Sequence, residues 1–315
     1  MKYARIAGLG AYLPEKILTN HDLESMVDTS DEWITERSGI KRRHIAADNE
    51  NVATMAEIAA REALSDAGIA PEDLDLILVG TCTSEHFFPS TACVVQAALK
   101  AVNAAALDIS AACTGFVYGL TIADQFIRSG AAKNVLVIGS EVLSRVLDWT
   151  DRGTCVLFGD GAGAAVVSAS DEPGIIASKI GSDGTQQEVL KLPTGITGEP
   201  SLVSMQGRDV FKLAVKRLSD SVKALLEETK MTKADIDWFV PHQANIRIIN
   251  MIAKQIKLNP DKVIITLDEH ANTSTASIPL AFHHAVRRQK IKRGDTVLLE
   301  AFGGGITWGG VLLKY

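Results

Sequence analysis

The stretch "DLDLI" (73–77) has a counterpart in "DIDWF" (235–239), and the two stand 162 positions apart. "NVLVIG" (134–139) and "TVLLEA" (296–301) repeat that offset. One offset holding at two places without a gap points to duplication rather than to chance likeness between two helix–strand units. Around these anchors, helix-spaced and strand-like segments alternate. "NVATMAEIAAREALSDAG" (51–68) has helical spacing and stops at Gly68, "DLILVGT" (75–81) is a short apolar strand, "TGFVYGLTIADQFIRSG" (114–130) is a second helix and "NVLVIGSE" (134–141) a second strand. The later part continues with helical "GRDVFKLAVKRLSDSVKALLEE" (207–228), strand "DWFVPHQ" (237–243), helices "IRIINMIAKQIK" (246–257) and "IPLAFHHAVRRQ" (278–289), and strand "DTVLLEAFGGG" (295–305). This is an α/β pattern, divided into halves 1–170 and 171–315. The offset maps Cys113 onto Thr275, which makes "ACTGF" and "NTSTAS" (272–277) equivalent strand-to-helix turns. A site is expected where such halves meet.

The composition narrows the functional classes. The chain has 315 residues, 46 % hydrophobic and 22 % charged, with a formal net charge of −6. That balance is ordinary for a soluble globular protein and argues against general nucleic-acid binding. No apolar run reaches membrane-spanning length, and the start "MKYARIAGLGAYLP" lacks the long apolar region of a signal peptide. Cys82, Cys93, Cys113 and Cys155 form no C-x-x-C pair and no metal-ligand spacing. They read as free thiols of a cytoplasmic protein without a metal centre.

Three residues carry chemistry as a group. Cys113 sits among small neighbours at a predicted helix start, where unpaired amides would lower its thiol pKa and a substrate carbonyl could approach. His242 in "VPHQAN" follows an apolar strand, and Asn272 in "HANTSTAS" stands at the corresponding junction of the other unit. Each has a plainer reading: a buried cysteine packs as a small hydrophobe, a lone histidine is a satisfied polar residue, an asparagine before a helix is a cap. Together they offer a nucleophile and two donors for one developing oxyanion. "FGGGITWGG" (302–310) lacks the lysine and hydroxyl of a P-loop; its backbone amide at Gly304 would act as an oxyanion donor beside that of Cys113. "FGDGAGAAVV" (158–167) runs into a strand, which excludes a dinucleotide-binding turn.

With "ACTGF", "PHQAN", "NTSTAS" and "FGGGITWG" together, the chain resembles, from end to end, the β-ketoacyl-acyl-carrier-protein synthase III family of bacterial fatty-acid synthesis. "SDEWITERSGIKRRHIA" (30–46) and "DRGTCVLFGDGAGA" (151–164) share the likeness. The resemblance implies a thiolase-like fold of two duplicated halves in five αβαβα layers, and a homodimer. It implies that Cys113, His242 and Asn272 are catalytic: a short acyl-CoA acylates the cysteine, and the other two stabilise the enolate left when malonyl-acyl carrier protein loses carbon dioxide. No metal or redox cofactor enters, acyl-CoA being a substrate. Chain-elongating relatives use two histidines with the cysteine, biosynthetic thiolases a second cysteine near the C-terminus, and hydroxymethylglutaryl-CoA relatives a glutamate. Plant-type polyketide synthases share the trio but match the flanking motifs less well.

Further roles follow from the same resemblance. Trp33 with Arg152 would clamp the CoA adenine, Arg37 would meet its phosphate, and Asn245 the pantetheine arm. Phe88, Leu143 and Phe158 would form the acyl pocket, with Phe88 reaching across the dimer. An acidic carrier protein needs a basic patch, for which Arg247, Lys254 and Lys257 stand on one side of a predicted helix, with Lys212 and Lys216 on another. Ala271 precedes Asn272 where the family often has glycine, which puts the local backbone in question. The rivals are a synthase loading a longer, branched or aryl primer, and a non-catalytic acyl-CoA-binding homologue.

Overall fold

The computed structural model describes residues 2–315. Five strands, β1 (Tyr3–Tyr12), β2 (Leu76–Gly80), β3 (Ala105–Ile109), β4 (Asn134–Glu141) and β5 (Gly161–Ser170), form one mixed sheet in the order β1-β5-β4-β2-β3. A second sheet takes β6 (Ile175–Ser182), β7 (Trp238–Pro241), β8 (Thr296–Gly303) and β9 (Thr307–Lys314) in the order β7-β8-β9-β6. In both sheets a parallel pair leads into antiparallel strands: β2 with β4 and then β5, β7 with β8 and then β9. All five residues of β2 are buried. The continuous apolar run follows from cover on both faces of the sheet, where alternation would put polar groups into a core.

The helices supply that cover. α1 (Asp31–Ser38) lies at the periphery; α2 (Val52–Ala67) and α3 (Thr91–Leu99) pack outside the first sheet. α4 (Gly115–Arg128) and α7 (Ser277–Arg287) lie between the sheets and touch both. α5 (Gly207–Thr229) packs on the far face of the second sheet, with α6 (Ile246–Gln255) against it. The result is five layers with three apolar cores between them. α2 forms as its sequence dictates. Asn51 and Thr54 exchange side-chain-to-amide hydrogen bonds at its start, both 2.8 Å, and Gly68 ends it at φ +65°, a left-handed conformation that glycine adopts without penalty.

The offset persists in three dimensions. Leu76 and Trp238 start β2 and β7, Gly115 and Ser277 start α4 and α7, and Asn134 and Thr296 start β4 and β8; each pair is 162 residues apart. The turns that lead into the duplicated central helices meet back to back. A Cβ on Gly80 or Gly115 would come within 2.7 or 2.8 Å of the Thr275 hydroxyl, so these glycines let the turn bearing Thr275 seat against its counterpart bearing Cys113. The second unit lacks an equivalent of β3: a single parallel bridge between Phe239 and Val263 stands there. One expectation is corrected. α6 ends at Gln255 and Lys257 adopts φ +54°, so Lys257 lies beyond the helix and cannot share its face with Arg247 and Lys254.

Candidate active site

The chamber opens at the carboxyl ends of the parallel strands, where the chain leaves the sheet and side chains turn inward without breaking the ladder. It has a volume of about 890 Å³, and Cys113, His242 and Asn272 all line it. Each is 6–8 % exposed, enough to be reached only from inside. Ala112–Thr114 make a single tight turn between β3 and α4, and Ala112 sits at φ +46°. Its counterpart Ser274 sits at φ +50°, and Ala271, just before Asn272, at φ +57°, ψ −162°. Three non-glycine residues in left-handed backbone next to the chemistry store strain of order 1–3 kcal/mol each, held by the surrounding packing.

The thiol itself overturns an expectation. Burial pushes Cys113 up to about 11; the Ser274 hydroxyl opposes this, Glu141 adds to it, and the residue's own amide opposes it. The helix start is present as foreseen, but desolvation outweighs its dipole, so the resting group is a thiol rather than a thiolate. Glu141 lies behind it at the end of β4, buried, accepting hydrogen bonds from Thr81 (3.2 Å), the Cys82 amide (3.1 Å) and thiol (3.2 Å), Thr83 (2.5 Å) and Ser274 (3.0 Å).

His242 follows β7 directly, its amide donating to the Glu300 carbonyl at 2.7 Å. Burial holds its ring at about 3, hence neutral. Its Nδ1 lies 2.6 Å from the Ser277 hydroxyl, which also accepts the Gln243 amide at 3.4 Å. With that amide donating, the serine proton is free for Nδ1, and the ring proton resides on Nε2, the nitrogen left for the chamber. Asn272 is held by its amide to Leu157 (3.0 Å), and its Oδ1 accepts the Ser274 amide at 2.9 Å. Its Nδ2 is thereby the group left to donate. Gly304 is on the wall beside Cys113, and a Cβ at Gly303 would lie 2.8 Å from the Cys113 amide nitrogen, so only glycine lets β8 end there.

The remaining predicted residues fall into three places. Leu143 and Phe158 line the chamber with Cys82; Phe88 stands outside it, 86 % exposed. The Arg152 and Arg37 guanidinium groups lie 5.1 and 5.8 Å from the Trp33 ring centre, away from the chamber wall. Asn245 caps α6 by accepting the Arg247 amide at 2.9 Å and donates to the Arg37 carbonyl at 3.0 Å, which ties the chamber rim to that cluster. Arg247 and Lys212 border the chamber; Lys254 is exposed farther along α6.

Sequence reasoning missed Ser274, Ser277 and Glu141. Glu141 had a signal, an isolated acid closing an otherwise apolar strand, "NVLVIGSE". The serines had none, since hydroxyls near a helix start are ordinary caps.

Two duplicated α/β units around a buried cysteine, histidine and asparagine define an acyltransferase of the thiolase-like condensing class. The family description 3-Oxoacyl-[acyl-carrier-protein (ACP)] synthase III matches residues 107–184, and its C-terminal counterpart matches 226–315. The chain belongs to the 3-oxoacyl-[acyl-carrier-protein] synthase III family. It is 55 % identical over 319 residues to a β-ketoacyl-[acyl-carrier-protein] synthase III of Thiobacillus denitrificans, covering 100 % of each chain. Its structure is similar to the crystal structure of 3-oxoacyl-[acyl-carrier-protein] synthase III from Aquifex aeolicus (TM-score 0.96, 50 % identity, 99 % and 100 % of the two chains). It is similar too to the enzyme of that name from Pseudomonas aeruginosa (TM-score 0.95, 41 % identity, 99 % and 98 %).

Proposed function

We propose that the protein condenses acetyl-CoA, or another short acyl-CoA, with malonyl-acyl carrier protein, releasing CoA and carbon dioxide and giving 3-oxoacyl-acyl carrier protein at the start of fatty-acid synthesis. The observation that carries this reading is the convergence of Cys113, His242 and Asn272 on one chamber. Cys113 accepts the acyl group. Loss of carbon dioxide from the malonyl thioester puts negative charge on its carbonyl oxygen, toward which His242 Nε2 and Asn272 Nδ2 both donate. Neutral donors favour the enolate over the uncharged ground-state carbonyl, about 3 kcal/mol apiece. A ring held at about 3 suits this, because an imidazolium would also grip the malonyl carboxylate before reaction. The enolate then attacks the acyl-cysteine, with the Cys113 and Gly304 amides receiving the charge.

The surroundings support the rest of the reading. The indole of Trp33 with two guanidinium groups near its ring suits a purine and its phosphates, with Asn245 toward the pantetheine arm. Arg247 and Lys212 at the rim, with Lys254 and Lys257 farther out, suit an acidic carrier protein. The outer edge of β3 is unpaired, and Leu107 on it, Val94 on α3, Phe87 and Phe88 are exposed. A second copy pairing there would cover them and bring Phe88 toward the other acyl pocket, forming a homodimer of paired 1–170 halves. All four cysteines are free, which suits the cytoplasm, and no helix among the described residues is long and apolar enough to cross a membrane.

Incubation with radiolabelled acyl-CoAs of graded length, followed by peptide mapping, tests the assignment. Label on Cys113, strongest for short chains, is expected. Label on another residue, or none, overturns it.

A further inference from the structure

An asparagine amide has a donating end and an accepting end, and only Nδ2 of Asn272 can donate to a developing enolate. The Ser274 amide decides which end is free: it donates to Oδ1 at 2.9 Å and leaves Nδ2. That contact spans two residues and depends on Ser274 keeping φ +50°, a left-handed conformation that a residue other than glycine holds only when its surroundings enforce it. The serine hydroxyl shows one enforcing partner. It donates to Glu141 Oε1 at 3.0 Å, 133 positions away in the other unit. Glu141 is fully buried at the end of β4 and stands behind the chamber wall rather than on it. Its second oxygen is fixed from its own unit: Thr81 (3.2 Å), the Cys82 amide (3.1 Å) and Thr83 (2.5 Å) all donate to Oε2. The two hydroxyls are oriented in turn. The Thr83 amide donates to Thr81 Oγ1 at 3.1 Å and the Val142 amide to Thr83 Oγ1 at 3.0 Å, which directs both hydroxyl protons onto the carboxylate. The Cys82 thiol reaches Oε1 at 3.2 Å beside Ser274. The turn bearing Ser274 also rests directly on β4, since a Cβ at Gly139 would collide with the Thr275 carbonyl.

We infer that Glu141 is a positioning residue for decarboxylation: by gripping the Ser274 hydroxyl it fixes the Asn272 amide with Nδ2 toward the substrate. The inference rests on the reading of Asn272 as an enolate donor. Ser274 is the joint, its hydroxyl held by the first unit and its amide holding Asn272 in the second. The link has a geometric use. Cys113 belongs to the first unit, so a carboxylate on β4 that grips the Asn272 turn ties the enolate's donor to the unit that carries the acyl group. Without the grip, the strained serine is free to relax, its amide leaves Oδ1, and either end of the Asn272 amide can turn to the chamber. A donor misplaced by about 1 Å costs roughly 100-fold in rate. Glu141 touches neither substrate nor reacting atoms on this account and acts only through Asn272.

The test is a double-substitution cycle over Glu141→Gln, Asn272→Ala and the two together. Carbon dioxide release from malonyl-carrier protein and single-turnover acylation of Cys113 are read in parallel. A glutamine sets its NH2 group against the Oε2 donors or against Ser274, whichever way it turns. Glu141→Gln alone is expected to lower kcat for decarboxylation roughly 10- to 100-fold, with KM for the malonyl carrier unchanged and acylation affected much less. In the Asn272→Ala background the same substitution should change decarboxylation by less than about 2-fold, because the donor it positions is gone. A merely structural role would multiply the two losses instead. Ser274→Ala keeps the carboxylate and removes only the hydroxyl. It should show the same non-additive pattern, and it serves alone should Glu141→Gln fail to fold. Losses that multiply, or full decarboxylation by either folded single variant, overturn the inference. If Asn272→Ala itself decarboxylates at the original rate, the reading of Asn272 falls first, and the role of Glu141 with it.

Discussion

Replacing Asn272 by alanine should separate the two halves of the reaction. The Oδ1 atom is occupied by the Ser274 amide at 2.9 Å, so the side chain offers the chamber one donor, Nδ2. Loss of one preorganised donor at a developing oxyanion costs about 3–4 kcal/mol, or roughly 100- to 1,000-fold in rate. In the proposed reaction that loss belongs to decarboxylation, because acyl transfer to Cys113 would rely on the backbone amides at Cys113 and Gly304. The variant also leaves the Ser274 amide without its acceptor, a stability cost of about 1–3 kcal/mol that must be kept apart from the catalytic one. Asn272→Asp makes that separation. Its carboxylate still receives the Ser274 amide, yet it presents an acceptor where a donor stood, so it should retain stability and lose decarboxylation at least as completely. The assay is carbon dioxide release from labelled malonyl-carrier protein without acyl-CoA, alongside single-turnover acylation of the thiol. If both variants decarboxylate at the original rate, or lose acylation to the same degree, the division of labour is wrong.

Ala271 sits at φ +57°, ψ −162°, a region nearly reserved for glycine, so Ala271→Gly should raise stability by about 1 kcal/mol after glycine's own entropic cost; a lower Tm would contradict the strain argument. Acid should destabilise the protein through its buried imidazoles. Burial holds His242 and His270 at about 3, while the unfolded chain takes up a proton at each near 6.5. Stability is therefore full above about pH 6.5 and falls as pH drops toward 3, by up to about 2 kcal/mol per ring at pH 5. His270→Phe should shrink that fall by one ring's share in urea titrations at the two pH values, and an unaltered pH dependence would refute it. Arg247→Glu at the chamber rim should raise KM for carrier protein roughly 10-fold while KM for acyl-CoA changes much less; equal shifts in both would count against docking there.

The α/β class, the duplication and the strand-to-helix turns could be read from the chain because they rest on local regularities. Apolar runs such as Leu76–Gly80, helical spacing over 51–68 and a glycine stop each depend on neighbours a few residues away, and the 162-residue offset compares one local pattern with another. The motifs around Cys113, His242 and Asn272 singled out the side chains that the structure gathers on one chamber. Lys257 shows where the local reading fails: helical spacing ran on past Gln255, but the chain turns left-handed there.

What only the tertiary structure decided is the electrical state of the site. From the sequence, Cys113 at a helix start is expected to have a lowered thiol pKa. In the fold, burial and a carboxylate 28 positions along the chain (113 to 141) outweigh the dipole and keep it protonated. The Nε2 proton of His242 depends on Ser277, 35 positions away, a contact made only when the end of β7 and the start of α7 come together. Desolvation and hydrogen bonding are properties of an enclosed volume, and no run of neighbouring residues encloses one.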